Sequence, residues 1–216
     1  MMTEPCTLSP ALKRVFLDLP QGPLLEMLPS LLRQWHFELA DSSPASGLRL
    51  ESPTPHQLTV HAPTGLTTHL SFPLRVEELW RIVEAPFYPF PRAHIRLEVD
   101  SPVLIHLRGR AEETTLSSLS DRGMRFYCSQ ELVREELLEA EVRLGREVLS
   151  LKGTIIYAQS RADRWEAGAV FQPISKAERD RIRDFIVRTL LARVRSEVGE
   201  DCFQKAGRFF YLPAFA

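Results

Sequence analysis

From Ile95 to Phe171 the chain is a succession of short segments in which apolar residues tend to fall on alternate positions, with turn residues between them. The clearest runs from Leu138 to Leu144, where Ala140, Val142 and Leu144 alternate with Glu139, Glu141 and Arg143. Successive side chains of a strand point to opposite faces, so such a segment buries one face and wets the other. Candidate strands are Ile95–Val99, Val103–Leu107, Thr114–Leu119, Met124–Cys128, Leu138–Leu144, Val148–Tyr157 and Trp165–Phe171. Short strands at regular spacing argue for a sheet closed into a barrel, because closure removes edges that would otherwise pair with other chains. Ser175-Lys-Ala-Glu178 then has the form of a capping box, and the helix it opens carries Ile182, Phe185, Ile186, Leu190 and Val194.

The preceding part reads differently. Leu24, Leu25, Leu28, Leu31, Leu32 and Trp35 follow the i, i+3, i+4, i+7 spacing of a buried helix face, with a shorter helix candidate around Leu8–Leu17. Two alternating segments, Leu58–Ala62 and Leu66–Phe72, flank Pro63-Thr-Gly65 as a hairpin, with Leu48 and Leu50 as a possible third strand, and Leu74–Glu84 reads as a second helix. Ala85-Pro-Phe-Tyr-Pro-Phe-Pro91 interleaves three prolines with three aromatics, which sets a semi-rigid, extended linker. The expected organisation is an N-terminal α+β interaction domain (1–84), a Pro/aromatic linker (85–91), a β-barrel with a C-terminal helix (92–198) and an apolar tail (199–216). The aromatics of that tail cannot comfortably stay solvated and should dock, in cis or on a partner.

Charge excludes one class of partner. Residues 90–198 carry 19 basic and 17 acidic side chains, far from the basic stripe that a duplex-binding domain needs. Cys6, Cys128 and Cys202 are odd in number and lack metal or redox spacing, which fits a reducing compartment. The first twelve residues show no basic stretch leading into an apolar run, and no segment approaches eighteen apolar residues, so the expectation is a cytoplasmic protein. The six histidines form no metal-ligand pattern, and there is no phosphate-cradling GxxxxGK[ST] loop and no GxSxG elbow. Nothing in the sequence calls for an enzyme or a metal cofactor.

Two short motifs carry the functional signal. In Arg92-Ala-His-Ile-Arg96 the arginines are four apart, which puts them on one side of the backbone in a strand or a helix alike. A guanidinium is planar and fork-shaped, so it can stack on a purine, bond guanine O6 and N7, or hold a phosphate. About twenty residues on comes Ser118-Leu-Ser120-Asp-Arg-Gly123, where Ser118 and Ser120 share a strand face and Gly123 permits a positive φ and close approach of backbone to ligand. Together they read as a guanine-nucleotide clamp.

These residues resemble the RxxxR and [D/N]xSxxG signatures of PilZ domains, receptors for the bacterial second messenger cyclic di-GMP. Arg92 and Arg96 match the first signature; Ser118, Ser120 and Gly123 fall on the fixed positions of the second. Ala167-Gly-Ala-Val-Phe171 and the helix after it resemble the family's last strand and C-terminal helix, so the likeness covers about residues 90 to 198. It implies an antiparallel six-stranded β-barrel with a C-terminal α-helix, cyclic di-GMP as ligand in place of any cofactor, and a signalling function in which ligand binding changes interdomain arrangement or partner binding. The protein partner it implies is unidentified, with motility, biofilm and secretion machinery as candidate classes and a homodimer also open. One departure is Ser118, where the family has Asp or Asn. A neutral hydroxyl there accepts less from the guanine N1 and N2 hydrogens than a carboxylate, a loss of about 1 kcal/mol or more. The alternative reading is therefore a degenerate PilZ-like adaptor that binds protein and no nucleotide. The position before Arg92 is Pro91; the family's ligand-dimer sites tend to have Arg there, which favours one ligand per site.

Overall fold

The structure, a computed structural model, describes residues 13–43, 45–88 and 94–211. Contacts divide the chain into two units, one of residues 1–93 with 190–216 and the other of residues 94–189.

In the first unit, strands β1 (Arg14–Asp18), β2 (Glu38–Leu39), β3 (Leu48–Thr54), β4 (Gln57–His61) and β5 (Thr67–Ser71) form one sheet in the order β2-β1-β3-β4-β5. β1 runs parallel to both β2 and β3. Parallel neighbours need a crossover, and helix α1 (Pro23–Gln34) lies in the connection from β1 to β2. Its buried residues Leu24, Met27, Leu28, Leu31 and Leu32 keep the spacing of one apolar face. β3, β4 and β5 form an antiparallel meander, and the turn at Pro63-Thr-Gly65 is closed by hydrogen bonds between Ala62 and Leu66 and between Gly65 and Ala62. Helix α2 (Val76–Glu84) buries Val76, Leu79, Trp80 and Val83.

Two expectations are corrected here. Of the helix expected around Leu8–Leu17, residues up to 12 lie outside the described residues, and Arg14–Asp18 is a strand. Five residues are too few for local propensity to decide, and pairing with β3, more than thirty residues away, decides it. The start of the linker, Ala85–Phe87, is a turn of 3-10 helix, and the Phe87 ring meets Phe37 edge to face at 5.6 Å. The described part of the tail docks in cis, one of the two outcomes expected of it: helix α4 (Glu200–Ala206) packs on α1 and buries Phe203, and Phe210 lies opposite Leu74, whose N–H donates to the Phe209 carbonyl at 2.8 Å and whose carbonyl accepts from the Tyr211 N–H at 2.9 Å. Cys6, residues 89–93 and residues 212–216 lie outside the described residues.

The second unit is a closed barrel of β6 (Leu97–Leu107), β7 (Arg110–Ser120), β8 (Gly123–Cys128), β9 (Leu137–Leu144), β10 (Glu147–Arg161) and β11 (Arg164–Phe171), in the order β10-β11-β8-β7-β6-β9 and antiparallel throughout. Val103, Ile105, Phe126, Ala140, Val142, Leu151 and Ile155 fill its interior. The first two candidate strands are one, β6, with a register shift between Glu98 and Ser101. Pro102 is tolerated inside it because pairing with β9 begins only at Val103, so its missing N–H leaves no gap in that ladder. Helix α3 (Lys176–Val198) opens with the expected box: the Ser175 N–H donates to Glu178 at 2.8 Å and the Glu178 N–H to the Ser175 hydroxyl at 3.2 Å. Its Ile182 and Ile186 are buried in the barrel unit, while Leu190, Leu191 and Val194 belong with the first unit. Among the described residues no helix is long and apolar enough to cross a membrane, and no group of three or more His, Cys, Asp or Glu is placed to hold a metal ion.

Candidate functional site

The Ser/Gly motif closes the β7–β8 hairpin. Leu116 pairs with Phe126 and Ser118 with Arg125, so Ser117 is an extra residue, a bulge. The bulge resets the strand's phase. Leu116 and Leu119 both face the core, although three residues apart, and Ser118 and Ser120 take the other face. The Ser120 hydroxyl donates to the Gly123 carbonyl at 3.1 Å and accepts from the Arg122 N–H at 3.3 Å, which pins the turn.

Gly123 does not take the positive φ expected of it, and a Cβ built on it would lie 2.2 Å from the Ala169 carbonyl oxygen of β11. Glycine is needed here because two strand backbones approach too closely for any side chain.

Ser118 sits in a rung that crosses five strands. It pairs with Glu98 on β6 and with Arg125 on β8; Arg125 pairs with Gly168 on β11, and Gly168 with Tyr157 on β10. The neighbouring rung, Leu97, Leu119, Met124 and Ala169, is buried in the core, so this one faces outward. Yet Ser118 is 1% exposed. Glu98 and Arg125 flank it, and their side chains join at 2.6 Å, so the ion pair spans the strand between them over Ser118. The Ser118 hydroxyl is buried without a hydrogen-bond partner. Arg125 also donates from Nε to the Ser117 hydroxyl at 3.2 Å. At the far end the Tyr157 ring lies against Gly168, where a Cβ would come within 2.2 Å of it. Burial raises the Tyr157 pKa, Glu166 adds to that, and the charges of Arg125 and Arg96 act in the opposite direction. Arg96 is exposed and immediately precedes β6, two residues before Glu98.

A second group ties the arginine segment to the turn. Asp121 is buried, and its Oδ2 accepts from Arg183 Nε on α3 at 2.5 Å and lies 3.1 Å from His94 Nδ1. His94 Nε2 lies 3.2 Å from Arg122 Nε. A neutral imidazole with its proton on Nδ1 satisfies both contacts, donating to Asp121 and accepting from Arg122. Burial lowers the His94 pKa, Asp121 works against that, and the charges of Arg183, Arg122 and Arg179 reinforce it.

Of the five sequence-derived site residues, Arg96, Ser118, Ser120 and Gly123 lie in or beside the rung and the hairpin, and Arg92 lies outside the described residues. Glu98, Arg125, Tyr157, Asp121, His94 and Arg183 are not among the residues that the two motifs single out. Alternation on β8 marks Arg125 as outward-facing, but the alignment of Glu98, Ser118 and Arg125 depends on register shifts in β6 and β7 that leave only a broken alternation in the sequence.

A family model described as PilZ domain matches residues 90–188. Similar solved structures include the Bacillus subtilis inhibitor of motility MotI/DgrA, with 12% identity over 63% of this chain and 74% of that chain and a TM-score of 0.44. The PilZ domain with c-di-GMP of YcgR from Escherichia coli shares 17% identity over 49% of this chain and 95% of that chain, with a TM-score of 0.41. MrkH of K. pneumonia in its apo state shares 11% identity over 67% and 76%, with a TM-score of 0.41. No curated protein matches the chain. The closed six-stranded barrel, the capped helix after it and the matched segment agree: residues 90–188 of this chain are a PilZ domain.

Proposed function

We propose that the chain is a cytoplasmic bacterial receptor for cyclic di-GMP, which binds the nucleotide without chemistry and uses occupancy to change either its interdomain arrangement or its affinity for a protein partner. Arg92 and Arg96 hold guanine faces and phosphates, and Ser118, Ser120 and the backbone at Gly123 border a guanine edge. The observation that best supports this is the 3.1 Å contact between His94, at the centre of the arginine segment, and Asp121, inside the Ser/Gly turn, since it brings two motifs more than twenty residues apart against each other. A ligand that engages both motifs has different affinities for arrangements that differ at this junction, and that difference is the signal.

Titration calorimetry with cyclic di-GMP tests the reading. The wild-type protein is expected to bind tighter than about 100 µM, roughly −5.5 kcal/mol, and Arg92→Ala and Arg96→Ala each to weaken binding about tenfold or more. Ser118 in the acid position and its cover of Glu98 and Arg125 favour one rival, an adaptor that binds only protein. Absence of wild-type binding at that threshold selects the adaptor.

A further inference from the structure

The motif lacks an acid at position 118, but the space over Ser118 does not. Glu98 is its cross-strand partner on the same outward face, where Cβ atoms of facing residues are about 5 Å apart. Glutamate is one methylene longer than aspartate, and Glu98 and Arg125, on the strands either side of Ser118, join their side chains at 2.6 Å, so that the Glu98 carboxylate leans toward the position from which an aspartate at 118 would project. The Glu98 side chain is 42% exposed, so a ligand can reach it, whereas the Ser118 hydroxyl beneath is buried and unpartnered.

Resting on the receptor reading above, we infer that Glu98 supplies from the neighbouring strand the carboxylate missing at Ser118 and reads the guanine edge of the ligand. The chemistry is that of a paired acceptor. A guanine base presents its N1 hydrogen and its 2-amino group side by side, and a carboxylate accepts from both. Arg125 is the positioning residue: it holds the carboxylate over Ser118. The position of the acid along the chain has changed, while its place on the barrel face has been kept.

The test compares cyclic di-GMP with the analogue in which hypoxanthine replaces guanine, which keeps the N1 hydrogen and lacks the 2-amino group. Wild-type protein is expected to prefer the guanine ligand about tenfold or more, and Glu98→Gln and Glu98→Ala to bring that preference close to one. Ser118→Asp reads the same point in reverse. Alone it sets a second carboxylate beside Glu98 and weakens guanine binding; in the Glu98→Ala background it returns the acid to the motif and restores the preference. A purely structural ion pair would alter thermal stability and leave the ratio of the two affinities unchanged. An unchanged ratio in both Glu98 variants, or a Ser118→Asp effect of the same sign in both backgrounds, overturns the assignment while the receptor reading stands. Absence of any wild-type binding overturns the receptor reading, and this inference with it.

Discussion

A methyl group added at Gly123 has no room: it would sit 2.2 Å from the Ala169 carbonyl oxygen, and both atoms belong to paired strand backbone that cannot swing aside. Gly123→Ala is therefore expected to destabilise the barrel by about 1–3 kcal/mol, the usual cost of overpacking, and to lower its melting temperature by several degrees with or without ligand. A thermal scan in which the variant melts like wild type would show that the strands can part at this point, and that close approach to a ligand is the better reason for the glycine. The residue type was legible in the sequence, but its reason was not. A glycine in a Ser/Gly turn suggests a positive φ, and only the pairing of β8 with β11 shows that the constraint comes from across the sheet. Ser118 taught the converse, since its chemistry is set less by its own side chain than by Glu98 and Arg125 on either side.

At the scale of elements, alternation carried most of the barrel. One face of every strand is buried, so Ala140, Val142 and Leu144 mark β9 without outside help. What alternation cannot carry is a bulge. Leu116 and Leu119 are both core residues, and their spacing of three breaks the period of two that makes a strand readable. The same limit fused two candidate strands into β6, whereas the helix candidate became β1 through pairing with the distant β3. Three elements meet at His94: the arginine segment that carries it, the β7–β8 turn through Asp121 and Arg122, and α3 through Arg183. The His94 pKa is lowered in the folded state, so the unfolded chain binds the proton more readily. The junction's contribution is then complete above about pH 6.5 and is lost as pH falls from there through the folded value. Denaturant midpoints measured from pH 7.5 to pH 5 should fall more steeply for wild type than for His94→Gln. Parallel curves would remove His94 from the account of the junction.

For the whole molecule, the division between the two units falls inside the α3 segment: buried Ile182 and Ile186 belong with one unit and buried Leu190, Leu191 and Val194 with the other. Glu197, near its end, accepts from the Ser30 hydroxyl at 2.5 Å and from the Gln34 amide at 2.8 Å, both on α1. None of this follows from periodicity, which finds the apolar stripe of a helix and says nothing about which core each turn of it enters. In the proposed receptor, two motifs separate in the sequence act as one nucleotide site on the barrel. Amide NMR spectra of the full-length protein titrated with cyclic di-GMP test it most directly, because each motif reports separately. The amides of Arg96 and Glu98 and those of Ser118 to Gly123 are predicted to shift together, with a single half-saturation point below about 100 µM. No shift in either group at that concentration, or two groups that saturate at different ligand concentrations, would contradict it.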